Sequence, residues 1–119
     1  MKNIIIILLL AGLVSCTGNS LISEIESEIG QKREPVKTGD GRLMYEYSIG
    51  NDFLLVEKKV SGIIDRRLGV IGRQTTRGGT INGVEFFNAW HWETPEQEVE
   101  MNVIYGQPGN RVKIWIYNK

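Results

Sequence analysis

Residues 99–117 read Val-Glu-Met-Asn-Val-Ile-Tyr-Gly-Gln-Pro-Gly-Asn-Arg-Val-Lys-Ile-Trp-Ile-Tyr. Apolar and polar side chains alternate on both sides of a turn signal, the two-residue period of strands with one buried face. Val99, Met101, Val103 and Tyr105 share a face of the first arm, and Val112, Ile114 and Ile116 share a face of the second. In the turn Gln107-Pro108-Gly109-Asn110 the proline pre-sets φ and the glycine accepts positive φ, as type II geometry requires. A loop centred on Pro108 and Gly109 pairs Tyr105 with Val112, Val103 with Ile114 and Met101 with Ile116. Each inward residue then meets another, and a slip of one residue would turn all of them outward. On the other face this register sets Ile104 against Lys113, Asn102 against Trp115 and Glu100 against Tyr117.

The same alternation runs back along the chain. Residues 84–92 form a strand with Val84, Phe86, Trp90 and Trp92 on one face. Thr94-Pro95-Glu96-Gln97 mimics a helix capping box, but the alternation that follows makes it a turn between strands. Leu43, Tyr45, Tyr47 and Ile49 mark another strand, Gly50-Asn51-Asp52 a turn, and residues 53–60 a strand returning as a hairpin. Between Ser61 and Gly83, glycines break the apolar pattern repeatedly, so short strands are predicted near 62–66 and 69–75 and a loop over 76–83, with a helix at 60–68 as the alternative.

Upstream of residue 43 the period changes. Leu21, Ile22, Ile25 and Ile29 recur at helical spacing, which predicts a helix over 20–29 with Ser20 as N-cap, glutamates near its positive end and Gly30 as its stop. A polar link follows over 31–42. The fold class is therefore α+β: an N-terminal helix, then a mainly antiparallel β-sheet of about five to seven strands. It forms a single small domain over 21–119, preceded by a removable leader at 1–15 and a short polar tether at 16–20.

The chain has 119 residues, 14 basic and 14 acidic, and removing Lys2 with the leader leaves 14 − 1 = 13 basic side chains. That near-neutral balance gives no electrostatic basis for nucleic acid as a partner. Cys16 is the only cysteine, so the domain has neither an internal disulfide nor a cysteine-based metal site.

The first residues explain that cysteine. Lys2 precedes an apolar run from Ile4 to Val14, 11 residues long, too short to span a bilayer and suited to the core of a signal peptide. Leu13-Val14-Ser15-Cys16 then resembles the lipobox of bacterial lipoprotein precursors. The resemblance implies diacylglyceryl transfer to the Cys16 thiol, cleavage before Cys16 and acylation, commonly with palmitate, of the new amine. Two or three acyl chains at roughly 0.8 kcal/mol per buried CH₂ would hold the chain firmly to a membrane. It implies a cell-envelope location, in the outer membrane of a Gram-negative cell given Thr17 after the cysteine.

The domain itself shows no catalytic pattern. His91, the only histidine, lies on a strand face opposite Trp90 and Trp92, with no nucleophile elbow in the sequence. A zinc site would have to draw on aspartates and glutamates around it. Glu85 with Glu93 and Glu98 with Glu100 are available carboxylate pairs, but nothing specifies a sugar-binding cleft between them; Glu98 and Glu100 read as the solvent face of a strand, and Arg66, Arg67, Arg73 and Arg77 as solvated charge. No catalytic residue, cofactor or metal is predicted. Trp115 and Tyr117 lie on the outward face of the last strand, where the helix or a second layer could cover them; left exposed, they are the candidate binding residues. The leading expectation is a non-catalytic binding or structural module of the envelope, its partner an envelope protein or glycan. An inhibitor or immunity lipoprotein against an envelope-acting enzyme is the alternative, and a small hydrolase ranks below both.

Overall fold

The structure is a computed structural model and describes residues 17–106 and 109–119. The lipobox residues, and Gln107 and Pro108 of the last turn, lie outside the described residues. Helix α1 spans Thr17–Ile29, β1 Val36–Lys37, β2 Leu43–Ser48, α2 Phe53–Leu68, β3 Arg73–Ile81, β4 Glu85–Glu93, β5 Gln97–Gly106 and β6 Arg111–Asn118. The strands form one six-stranded sheet in the order β1-β2-β6-β5-β4-β3. Every neighbouring pair is antiparallel. The fold is α+β, as the periodicities predict.

Residues 53–60 are not a strand but the first half of α2, and the strand predicted near 62–66 is its second half. The alternative helix at 60–68 was right in kind and too short. Glu57, Val60, Ile63 and Ile64 are buried at spacings of three and four, whereas Leu54 and Leu55 are exposed. The run of adjacent apolar residues at 53–56 obscures that period, and Gly69, in the left-handed region at φ 71°, ends the helix.

Residues 76–81, predicted as loop, continue β3. Asn82, Gly83 and Val84 make the turn into β4, with Ile81 paired to Glu85; Asn82 and Gly83, at φ 53° and 72°, are the central residues of the Ile81–Val84 turn, and positive φ at both matches the twist of a hairpin. Gly78 at φ 69° sits where the β3–β4 register shifts, the mark of a bulge.

The last hairpin is displaced by two residues. Val103 faces Val112, Met101 faces Ile114 and Val99 faces Ile116. A two-residue shift keeps every inward residue inward, so the apolar pattern alone cannot separate the two registers. Asn110 favours the observed one: its side chain accepts from the Gly106 N–H at 3.1 Å and donates to the Gly50 carbonyl at 2.9 Å. Tyr105, freed from pairing with Val112, stacks between Phe53 and Phe86.

Helix α1 begins before Ser20, so that residue is not its N-cap, the polar residues 17–20 are helical, and its first turn carries no acidic side chain. Gly30, at φ 82°, stops it as predicted, its N–H meeting the Glu26 carbonyl at 2.8 Å. Glu24 meets Arg66 and Arg67, and Glu28 meets Lys59, so α1 runs antiparallel to α2. The two guanidiniums hold the Glu24 carboxyl below its ordinary pKa, Arg66 first.

Both helices cover the same face of the sheet. Leu21, Ile22 and Ile25 of α1 and Val60, Ile63 and Ile64 of α2 close over Tyr45, Tyr47, Trp92, Val99, Met101, Val103, Val112 and Ile114. Each fully buried aliphatic side chain contributes roughly 1.5–3 kcal/mol. Polar contacts then fix where α2 lies. The indole N–H of Trp90 donates to Glu57 at 2.7 Å and that of Trp92 donates to Asp65 at 2.7 Å. Asn88 also donates to Glu57, and it accepts from the N–H of Gly78 on the edge strand. Gly72 donates to Asp65 and packs so closely that a Cβ there would lie 2.3 Å from the Trp92 ring.

Trp92→Phe should cost about 2–3 kcal/mol in urea unfolding, since it keeps an aromatic ring but removes the indole donor of Asp65, which then retains the Gly72 N–H. Gly72→Ala should cost about 1–3 kcal/mol by overpacking the same ring. A second expectation concerns alkaline pH. Burial first, and then the hydrogen bond to Glu26, push the Tyr47 phenol above its ordinary value, and burial raises Tyr45 as well. The folded state keeps these protons after the unfolded chain begins to lose them. The contribution is therefore complete below about pH 10 and is lost as pH rises beyond it. Tyr47→Phe should lower stability at neutral pH by about 1 kcal/mol and make the decline above about pH 10 shallower than in the wild type.

Candidate functional site

Strand alternation sends the residues between the core positions to the opposite face of the sheet, and among the described residues no helix covers it. Hydrogen-bonded pairs set its rows. Arg73, His91, Glu100, Trp115 and Met44 lie side by side across β3, β4, β5, β6 and β2. Glu93, Glu98 and Tyr117 form the next row.

Arg42, just before β2, organises the middle of this face. Its guanidinium lies 5.7 Å from the centre of the Trp115 ring, a cation–π contact. It also reaches Glu100 at 3.2 Å and Asp40 at 2.8 Å. Asp40 is held in turn by the Thr38 hydroxyl, which, with Arg42, keeps its carboxyl below the ordinary value. Trp115 is therefore partly covered, while Tyr117 beside it is 40% exposed. Asp40, Arg42, Glu98 and Tyr117 line an open cavity of about 240 Å³.

The two residues singled out from the sequence thus share a solvent-facing surface. Arg42 was hidden from sequence reasoning, because it sits in a polar link and only folding lays it over Trp115. The two-residue register shift matters as well, since it puts Glu100 rather than Asn102 beside Trp115.

His91 lies on the same face, its Nε2 3.2 Å from Glu98 Oε1. Glu98 and Glu100 stand two residues apart and meet His91 and Arg42 respectively. The other carboxylate pair is not a pair in space. Glu85 and Glu93 occupy opposite ends of β4, where Glu85 meets Arg111 and Glu93 meets Lys119. Lys119 holds the Glu93 carboxyl below its ordinary value. The four-arginine cluster also divides, Arg66 and Arg67 binding Glu24 while Arg73 and Arg77 stay on the edge strand.

A second cavity, about 450 Å³, lies between α1 and residues 32–35, beside Ile22 and Tyr45. Its Glu26 already accepts from the Tyr47 hydroxyl at 3.0 Å and the Arg33 N–H at 2.9 Å, which gives that carboxylate a role in holding α1 on the sheet.

No family model, curated protein or solved structure matches the chain. Its function is therefore argued from its own residues.

Arg42→Ala should leave stability within about 1 kcal/mol of wild type, because the ion pairs it makes are solvent-exposed. It should nevertheless uncover Trp115, raising acrylamide quenching of tryptophan fluorescence while Trp90 and Trp92 stay shielded. Unchanged quenching would mean that Arg42 does not lie over that ring.

Proposed function

We propose that the chain is a lipid-anchored cell-envelope protein whose domain is a non-catalytic binding module, with the open sheet face as its contact surface for an envelope protein or glycan. The observation that carries the reading is the grouping of Arg42, Trp115 and Tyr117, with flanking carboxylates, on the face the helices leave bare. Aromatic and arginine side chains provide most of the energy in recognition surfaces, and carboxylates at the rim add hydrogen-bond acceptors for hydroxyl or amide groups.

The anchor belongs to the same reading. Among the described residues no helix is long and apolar enough to cross a membrane, so attachment would rest on the lipid at Cys16. Helix α1 starts at the next residue and runs antiparallel to α2. At 1.5 Å per residue its start lies about 10 Å beyond Glu24, the level of Arg66 and Arg67. A helical spacer of that length would hold the domain close to the bilayer and restrict its tilt.

Two measurements test the proposal. Cells fed labelled palmitate should label the wild-type chain, and Cys16→Ser should abolish the label and release the chain from the membrane fraction. For the surface, Tyr117→Ala and Trp115→Ala should each abolish co-purification of the wild-type partner from detergent-solubilised envelope while leaving the circular dichroism spectrum unchanged. Label that survives Cys16→Ser would refute the anchor. Undiminished co-purification by both surface variants would refute the binding face.

A further inference from the structure

We infer that His91, Glu98 and Glu100 form a binding site for a divalent metal ion of the zinc type. One ligand atom from each lies within 4.8 Å of the other two. The donors come from two hydrogen-bonded strands: His91 is the direct cross-strand partner of Glu100, and Glu98 lies two residues away on the same face. Strand backbones fix such positions more tightly than loops do.

The distances suit the ion. Zinc–nitrogen and zinc–oxygen bonds of about 2.0–2.2 Å put tetrahedral donors about 3.3–3.5 Å apart. His91 Nε2 and Glu98 Oε1, at 3.2 Å, are already at that separation. Glu100 has to close by little more than about an ångström, a rotamer adjustment for a partly exposed side chain. Arg42 takes only one of its oxygens, Oε2, which leaves the other for the metal.

Charge favours occupation. Glu98 and Glu100 face the same side at strand spacing and repel each other, and a dication between them would remove that repulsion. With the two ligand carboxylates counted, Asp40, Glu93, Glu98 and Glu100 face Arg42, Arg73 and Lys119, so the cluster as a whole carries one net negative charge that a dication would offset. One imidazole and two carboxylates are borderline-to-hard donors, a set that suits zinc. Three protein ligands leave a fourth position open toward solvent. The cavity lined by Asp40, Arg42, Glu98 and Tyr117 adjoins it, so a carboxylate or hydroxyl group of a bound molecule could complete the coordination. The site needs neither the lipid anchor nor a docked partner and is tested separately from both.

Titration of the purified full chain with zinc ion by isothermal calorimetry is the test. Wild type should bind one equivalent. His91→Ala and Glu98→Gln should each weaken binding by more than about tenfold, the loss that even a supporting partner of a metal ligand produces. Glu46→Gln, a carboxylate at the far end of the same face, should bind as wild type does. Absence of binding by wild type, or equal affinity in all four proteins, would overturn the inference. Circular dichroism of each variant checks that the fold is retained, and because Glu98→Gln is nearly isosteric, it tests the site even if His91→Ala fails to fold.

Discussion

The pairing of two helix carboxylates with two strand indoles governs this structure. Glu57 and Asp65 lie eight residues apart on α2, and Trp90 and Trp92 are successive inward residues of β4. Each indole N–H has one acceptor on the helix, at 2.7 Å in both cases. Apolar contact alone would let α2 slide or rotate over the sheet, because hydrophobic burial is not directional. Two charge-assisted hydrogen bonds at fixed spacing along both elements remove that freedom. Leaving the buried Glu57 carboxylate without its donors would cost several kcal/mol, and leaving the half-buried Asp65 without its indole donor would cost less, so neighbouring positions of the helix are penalised.

The remaining architecture follows from where α2 is held. It leaves β2 at one side of the sheet and delivers the chain to β3 at the far edge. A meander from β3 to β6 then returns to pair with β2. Both helices thereby lie on one face, and the opposite face is left to Arg42, His91, Glu98, Glu100, Trp115 and Tyr117. The proposed binding surface is the complement of the docking surface. The inward tryptophans hold the helix, and the outward one lies under Arg42 on the face the helices leave bare.

Much of this was legible in the residues. Period-two alternation placed β2, β4, β5 and β6 and identified their inward faces, and period-3.6 spacing found α1. The failures have definite physical causes. Phe53-Leu54-Leu55-Val56 is apolar on all sides, so it carries no period, and only the tertiary contacts of Phe53, Val56, Val60 and Ile64 show which face is inward. Asn82-Gly83 is a strong hairpin signal that was absorbed into a glycine-rich loop because the bulged strand before it lacks alternation. The hairpin register was wrong by two because parity is all that hydrophobic matching can determine. The Trp-x-Trp signal was visible, but its meaning was not: Glu57 and Asp65 are distant in sequence, and nothing local announces that they accept the indole protons. Trp115 and Tyr117 were found by alternation, whereas Arg42 and the approach of His91 to Glu98 and Glu100 required the fold.

Hydrogen exchange at the three indole N–H groups, followed by NMR in deuterated buffer, tests the central claim most directly. If Glu57 and Asp65 hold α2 on the sheet, the Trp90 and Trp92 indole protons should exchange only through large-scale unfolding, while that of Trp115 on the open face should exchange far faster. Equal and rapid exchange at all three, or greatest protection at Trp115, would contradict it.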